Sequence, residues 1–257
     1  MRLHTVTHGA PAPGKPPLLI AHGLFGSARN WGVIAKRLSD DRQVVAVDMR
    51  NHGQSPRAES QSYEDMAGDL ADTIEALGGP MAVLGHSMGG KAAMVLALTR
   101  PELVERLIVA DIAPVAYGHS QRHLIEAMRA VPLERMERRS DADAALHDLV
   151  DDPGLRAFLL QSLDVPARRW RLNLDVLDRE MERITGWPDI DGRYDGPVLF
   201  LTGAESDYVR REHRDAIKRL FPRARFAAIP RAGHWLHADR PREFEAAVRA
   251  FLEADTQ

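Results

Sequence analysis

Gly85-His86-Ser87-Met88-Gly89 lies between the apolar run Met81-Ala82-Val83-Leu84 and the helix-forming stretch Lys91 to Thr99, which stops at Arg100-Pro101. The pentapeptide alone is a weak signal, but its setting is specific. Strand before and helix after place Ser87 on a sharp turn whose strained backbone lifts the hydroxyl above a sheet. The flanking residues are glycines because a side chain there would strike the neighbouring strand or helix. A helix beginning at Met88 also turns its N-terminal amides and positive dipole end toward the serine. Such a turn needs a strand with neighbours on both sides, and so an α/β architecture.

The rest of the chain supplies that architecture. Strands are predicted near Arg2–His8, Leu18–Ala21, Gln43–Asp48, Arg106–Asp111, Val198–Thr202 and Arg225–Ile229. Between them come helices around Trp31–Leu38, Tyr63–Leu77 (N-capped by Ser62, with Asp65 three residues on), Arg210–Leu220 and Pro241–Glu253. Alternating elements with short β-rich apolar runs predict a doubly wound, mostly parallel sheet. The alternation breaks between about Val115 and Trp187, where only helical, charged stretches appear: Gln121–Ala130, Asp141–Val150, Leu155–Leu163 and Leu172–Ile184. Residues 116–187 are therefore expected to form a helical cap, inserted into a core of residues 1–115 and 188–257.

A serine hydroxyl is a poor nucleophile until a base takes its proton. Of 11 histidines, His234 follows the last strand directly in Arg231-Ala232-Gly233-His234-Trp235, with His237 as its competitor. That loop falls at the carboxyl edge of the sheet, where Ser87 is also expected. The base needs an acid to orient it, and the usual position three residues after the glycine of the penultimate strand holds Ser206. Asp207 is one residue late. Asp111, ending the strand next to that of Ser87, is the first choice, with Asp207 in reserve and Ser206 as a companion to the histidine or the acid. An oxyanion hole needs two amides aimed at one point. Met88 would give one, and Leu24 of His22-Gly23-Leu24-Phe25 the other. Phe25, Trp235, Phe158, Leu159 and Trp170 are candidate walls of a substrate pocket.

Bulk composition closes off several classes. With 34 basic and 37 acidic side chains and a formal charge of −3, nothing argues for a nucleic-acid partner. No cysteine is present, which excludes disulfides, thiolate metal sites and a cysteine nucleophile. His234 and His237 form H-x-x-H without the glutamate of metalloprotease spacing, so no metal is expected. The start of the chain has no apolar signal core and no run is long enough to span a membrane, which predicts a cytoplasmic protein.

Taken together, H-G-L-F-G (22–26), V-D-M-R-N-H-G-Q-S (47–55), G-H-S-M-G-G-K (85–91) and D-I-A-P-V (111–115) resemble the α/β-hydrolase superfamily. More narrowly, they are similar to the YbfF-like bacterial esterases and their mitochondrial hydrolase-domain relatives. The likeness is specific from Pro17 to about Tyr117 and from Pro197 onward, and loose across the cap. It implies a serine carboxylesterase or thioesterase acting on small-molecule acyl esters without a cofactor. It also supports Asp111 as the acid with Ser206 beside it. Asn51 departs from the family's commoner glycine, and Arg50 to Ser55 read as support for the site. A cofactor-free haloperoxidase, a carbon–carbon bond hydrolase or a non-catalytic ligand-binding member remain open. Arg168, Arg169 and Arg171 form a basic cluster that fits a solvated face better than a site for the phosphates of an acyl-CoA.

Overall fold

The computed structural model describes residues 1–254; the last three residues of the expected 188–257 core segment lie outside the described residues. Seven strands form one sheet: β1 (His4–His8), β2 (Leu18–Ala21), β3 (Val44–Asp48), β4 (Met81–His86), β5 (Val104–Ala110), β8 (Val198–Gly203) and β9 (Ala224–Ile229). Their order is β1-β3-β2-β4-β5-β8-β9. Only β1 runs antiparallel, at one edge against β3. Every residue of β2, β3 and β4 is buried, which is why they read as continuous apolar runs.

The period-2 alternation of these strands divides the interior into two layers. Leu19, Val45, Val47 and Val83 face helices α2 (Tyr63–Ala76) and α3 (Met88–Thr99). Leu18, Ile20, Val44, Ala46 and Leu84 face α1 (Gly32–Leu38) and α11 (Pro241–Glu253). Local chemistry sets the helix ends. The Ser62 hydroxyl accepts the Asp65 N–H at 3.2 Å, capping α2. Pro101 ends α3, and Pro241 opens α11 where its missing N–H costs nothing.

Between β5 and β8 the chain forms α4 (Arg122–Ala130), α5 (Arg139–Leu146), α6 (Pro153–Leu160), α7 (Leu174–Arg179) and α8 (Met181–Thr185). This stretch departs from the sequence reading in two ways. It contains a small antiparallel hairpin, β6 (Leu163–Asp164) and β7 (Arg169–Trp170), and the single helix expected over 172–184 is broken at Glu180. After β8 come α9 (Arg214–Leu220) and, following β9, the short α10 (Leu236–Asp239). Among the described residues, no helix is long and apolar enough to cross a membrane.

Candidate active site

Parallel strands deliver their following loops to one edge, and the register shows which residues meet there. His86 pairs with Ala110, and Ala110 with Leu201, so Ser87 and Asp111 each leave the sheet one step past a paired position. The Ser87 N–H donates to the Ala110 carbonyl and the Asp111 N–H to the Leu201 carbonyl, both at 3.0 Å. Ser87 adopts φ 51° and ψ −118°, a strained conformation for a residue with a side chain. The turn fits only because its flanks are glycine. A Cβ on Gly85 would run into the Gly89 carbonyl, and one on Gly89 into the carbonyls of Ala21 and His22.

His234 bridges Ser87 and Asp111. Its Nδ1 lies 2.8 Å from Asp111 Oδ2 and its Nε2 lies 3.1 Å from Ser87 Oγ. The same carboxylate oxygen accepts the Ser206 hydroxyl at 2.5 Å, while Oδ1 accepts the Gly203 N–H at 3.1 Å. The Asp111 carboxylate is fully buried and His234 is 18% exposed. With Nδ1–H donated to a carboxylate, the Nε2 lone pair faces the serine hydroxyl. Asp207, the reserve acid, is exposed and pairs with Arg210 at 3.1 Å, away from the imidazole.

A second tier of histidines, not singled out from the sequence, holds the loops. His22 Nδ1 donates to the Gly23 carbonyl at 2.7 Å, and its Nε2 accepts the Met49 N–H at 2.9 Å. His52 Nδ1 donates to the Arg50 carbonyl at 2.8 Å, and its Nε2 accepts the Phe25 N–H at 3.2 Å. Each ring is a donor at one nitrogen and an acceptor at the other, which only a neutral imidazole can be. Burial drives His22 down to about 4, and burial with His22 nearby drives His52 down to about 3. His86 Nε2 donates to the His234 carbonyl at 2.9 Å. The competitor His237 is buried and stacks on Trp31 at 4.1 Å. The signals for His22 and His52 were their His-Gly pairs, the first directly after β2 and the second in the loop four residues beyond β3.

The Asn51 departure has a structural reason. Its φ of 64° is one that asparagine tolerates, and its side chain joins three segments. Nδ2 donates to Gln61 Oε1 at 2.8 Å, while Oδ1 accepts from Ala58 N–H at 2.8 Å and Asn173 Nδ2 at 3.0 Å. A glycine would give the turn without tying it to α7. Arg50 is held by the buried Asp69 carboxylate, at 2.6 and 2.9 Å.

A cavity of about 310 Å³ opens over Ser87, lined by Leu24, Phe25, Met88, Phe158, His234 and Trp235 among others. Phe158 of α6 faces Trp235 with ring centroids 5.9 Å apart. Two expected walls are elsewhere. Leu159 is fully buried in the core, and α6 gives the cavity its neighbours Leu155 and Phe158 instead. Trp170 is buried on β7, and its indole N–H donates to the Met128 carbonyl at 2.9 Å. Arg168, Arg169 and Arg171 are exposed on the hairpin outside the cavity, with Arg171 paired to Asp164 at 3.0 Å. Among the described residues, no group of three or more His, Asp or Glu side chains could hold a metal ion.

A family model for the alpha/beta hydrolase fold matches residues 16–241. The chain belongs to the α/β-hydrolase fold family. It is 44% identical over 248 residues to a mouse protein named sn-1-specific diacylglycerol lipase ABHD11, covering 92% of this chain and 81% of that one. It is 41% identical to esterase YbfF of Escherichia coli over 239 residues, 92% of each chain. A solved structure described as a marine microorganism esterase matches with a TM-score of 0.92 at 37% identity, covering 98% of this chain and 99% of that one.

Proposed function

We propose that the protein is a serine carboxylesterase that hydrolyses small to medium acyl esters, thioesters included, through an acyl-enzyme on Ser87. The observation that carries this reading is the imidazole of His234, 3.1 Å from the Ser87 hydroxyl and 2.8 Å from the Asp111 carboxylate. His234 takes the Ser87 proton as Oγ attacks the carbonyl carbon, and Asp111 holds the ring and stabilises the imidazolium. Ser206 and the Gly203 amide keep the carboxylate in place.

The oxyanion that forms needs preorganised donors. Met88 is the first residue of α3, so its amide is one of the helix's unpaired N–H groups. In the loop after β2, the Phe25 amide is committed to His52 and the Gly26 amide to the Gly23 carbonyl. Leu24 is then the loop's donor. His234 returns its proton to the leaving group, and water activated by the same ring releases the acid. Phe25, Phe158 and Trp235 give the substrate apolar walls. The printed names of the mouse and E. coli relatives, a lipase and an esterase, agree with ester bonds as targets.

Replacing Ser87 by alanine tests the assignment. Hydrolysis of a short acyl ester, followed by proton release, should fall by roughly 10⁴-fold or more, with folding unchanged. Retention of wild-type turnover would refute it.

A further inference from the structure

We propose that Lys91 is an anion subsite of the cavity over Ser87, selecting ester substrates that carry a carboxylate a few bonds from the scissile carbonyl. The inference rests on the assignment of Ser87 as nucleophile and adds the substrate class. Lys91 stands one turn beyond Ser87 on α3, its N–H bonded to the Ser87 carbonyl at 3.0 Å. Its side chain is only 1% exposed, yet it lines the cavity. Among the described residues it is the only lysine or arginine that does so, and no aspartate or glutamate joins it.

An ammonium has three N–H donors. Two go to the carbonyls of Thr185, at 3.0 Å, and Gly186. Among the described residues the third has no acceptor atom, only the faces of Tyr117 and Tyr63 with centroids at 4.8 and 5.6 Å. Both tyrosine hydroxyls are spent on carbonyls, Tyr63 on Ile184 and Tyr117 on Tyr208. The charge therefore has only neutral partners. Tying α8 to the core calls for N–H groups, whereas a buried charge without an opposite charge is costly. Burial holds the Lys91 ammonium down to about 7, and a bound carboxylate would supply the missing counter-charge.

The carboxylate can enter on the acyl or the alcohol side of the ester, and paired substrates separate these. On the acyl side, monomethyl glutarate is compared with methyl pentanoate. On the alcohol side, butanoyloxyacetate is compared with ethyl butanoate. In one pair, wild-type kcat/KM should favour the charged ester by about tenfold or more, and Lys91→Met should lower that ratio by about tenfold. A wild-type ratio at or below unity in both pairs, or a ratio unchanged by the substitution, overturns the proposal. If Lys91→Met does not fold, inhibition of the wild type decides: glutarate should compete with a neutral ester far better than pentanamide does, and equal inhibition refutes the subsite. If no ester of either kind is turned over, the Ser87 assignment fails separately. Calorimetric binding of glutarate to the wild type then tests Lys91, and an absence of binding refutes it.

Discussion

The Tyr208 ring lies against the imidazole of His234, with centroids 3.9 Å apart and planes 18° from parallel. Tyr208 sits in the loop that also carries Ser206, and its N–H donates to the Ser206 hydroxyl oxygen at 3.3 Å. Its carbonyl accepts the Tyr117 hydroxyl, and its own hydroxyl meets His119 at 2.7 Å. One loop thus supports both the acid and the face of the base.

An aromatic face stabilises a cation by about 0.5–2 kcal/mol, depending on desolvation. In the proposed mechanism the ring of His234 gains a positive charge as Ser87 attacks. Tyr208→Leu should therefore lower kcat roughly 3- to 30-fold while KM changes less, and Tyr208→Phe should stay near wild type. Steady-state kinetics on one neutral ester checks both.

The two acids separate cleanly by geometry. Asp111→Asn should cost about 10⁴-fold in kcat, because an amide at that position favours the wrong imidazole tautomer. Asp207→Asn should be mild, since Asp207 pairs with Arg210 at the surface. Ser206→Ala removes one hydrogen bond to a carboxylate and should cost roughly 10–100-fold. A severe Asp207→Asn with a mild Asp111→Asn would reverse the assignment.

Buried histidines make stability depend on pH. Burial lowers His22 to about 4 and His52 to about 3, and His237 to about 3 with His234 nearby adding to the effect. His86 is also well below its ordinary value of 6.5, through burial and its neighbours His234 and His237. Above about pH 6.5 these rings are neutral in both states and folding is unaffected. As the pH falls below that value the unfolded chain takes up protons that the native state refuses. Each histidine then costs up to about 1.4 kcal/mol per pH unit, continuing toward about 4. Urea midpoints should drop between pH 7 and 5, before most carboxylates titrate. A flat profile over that interval would contradict the neutral tautomers.

Much of this was legible in the chain because parallel strands buried on both sides leave continuous apolar runs. The strand Leu18–Ala21 and the helix Pro241–Glu253 were read with their observed ends. Ser87, Asp111 and His234 were legible because each stands at, or within a few residues beyond, the carboxyl end of a predicted strand, and the sheet's topology determines where those ends go. The cap was harder. Strands of two residues, such as those of the β6–β7 hairpin, carry no periodicity, and nothing in Leu172–Ile184 marks a break at Glu180. Leu159 and Trp170 were misplaced for a related reason: which way a cap side chain turns depends on how α6 and β7 pack on the core. His22 and His52 were visible as motif residues, but their roles are hydrogen bonds across 27 positions of sequence, which spacing does not reveal.

The most direct measurement is peptide mapping after treatment with a fluorophosphonate, which reacts with a serine only when a base has activated it. The account predicts one adduct, on Ser87, lost in Ser87→Ala and strongly slowed in Asp111→Asn. A folded wild-type protein that takes up no label, or takes it up at a different serine, would contradict it.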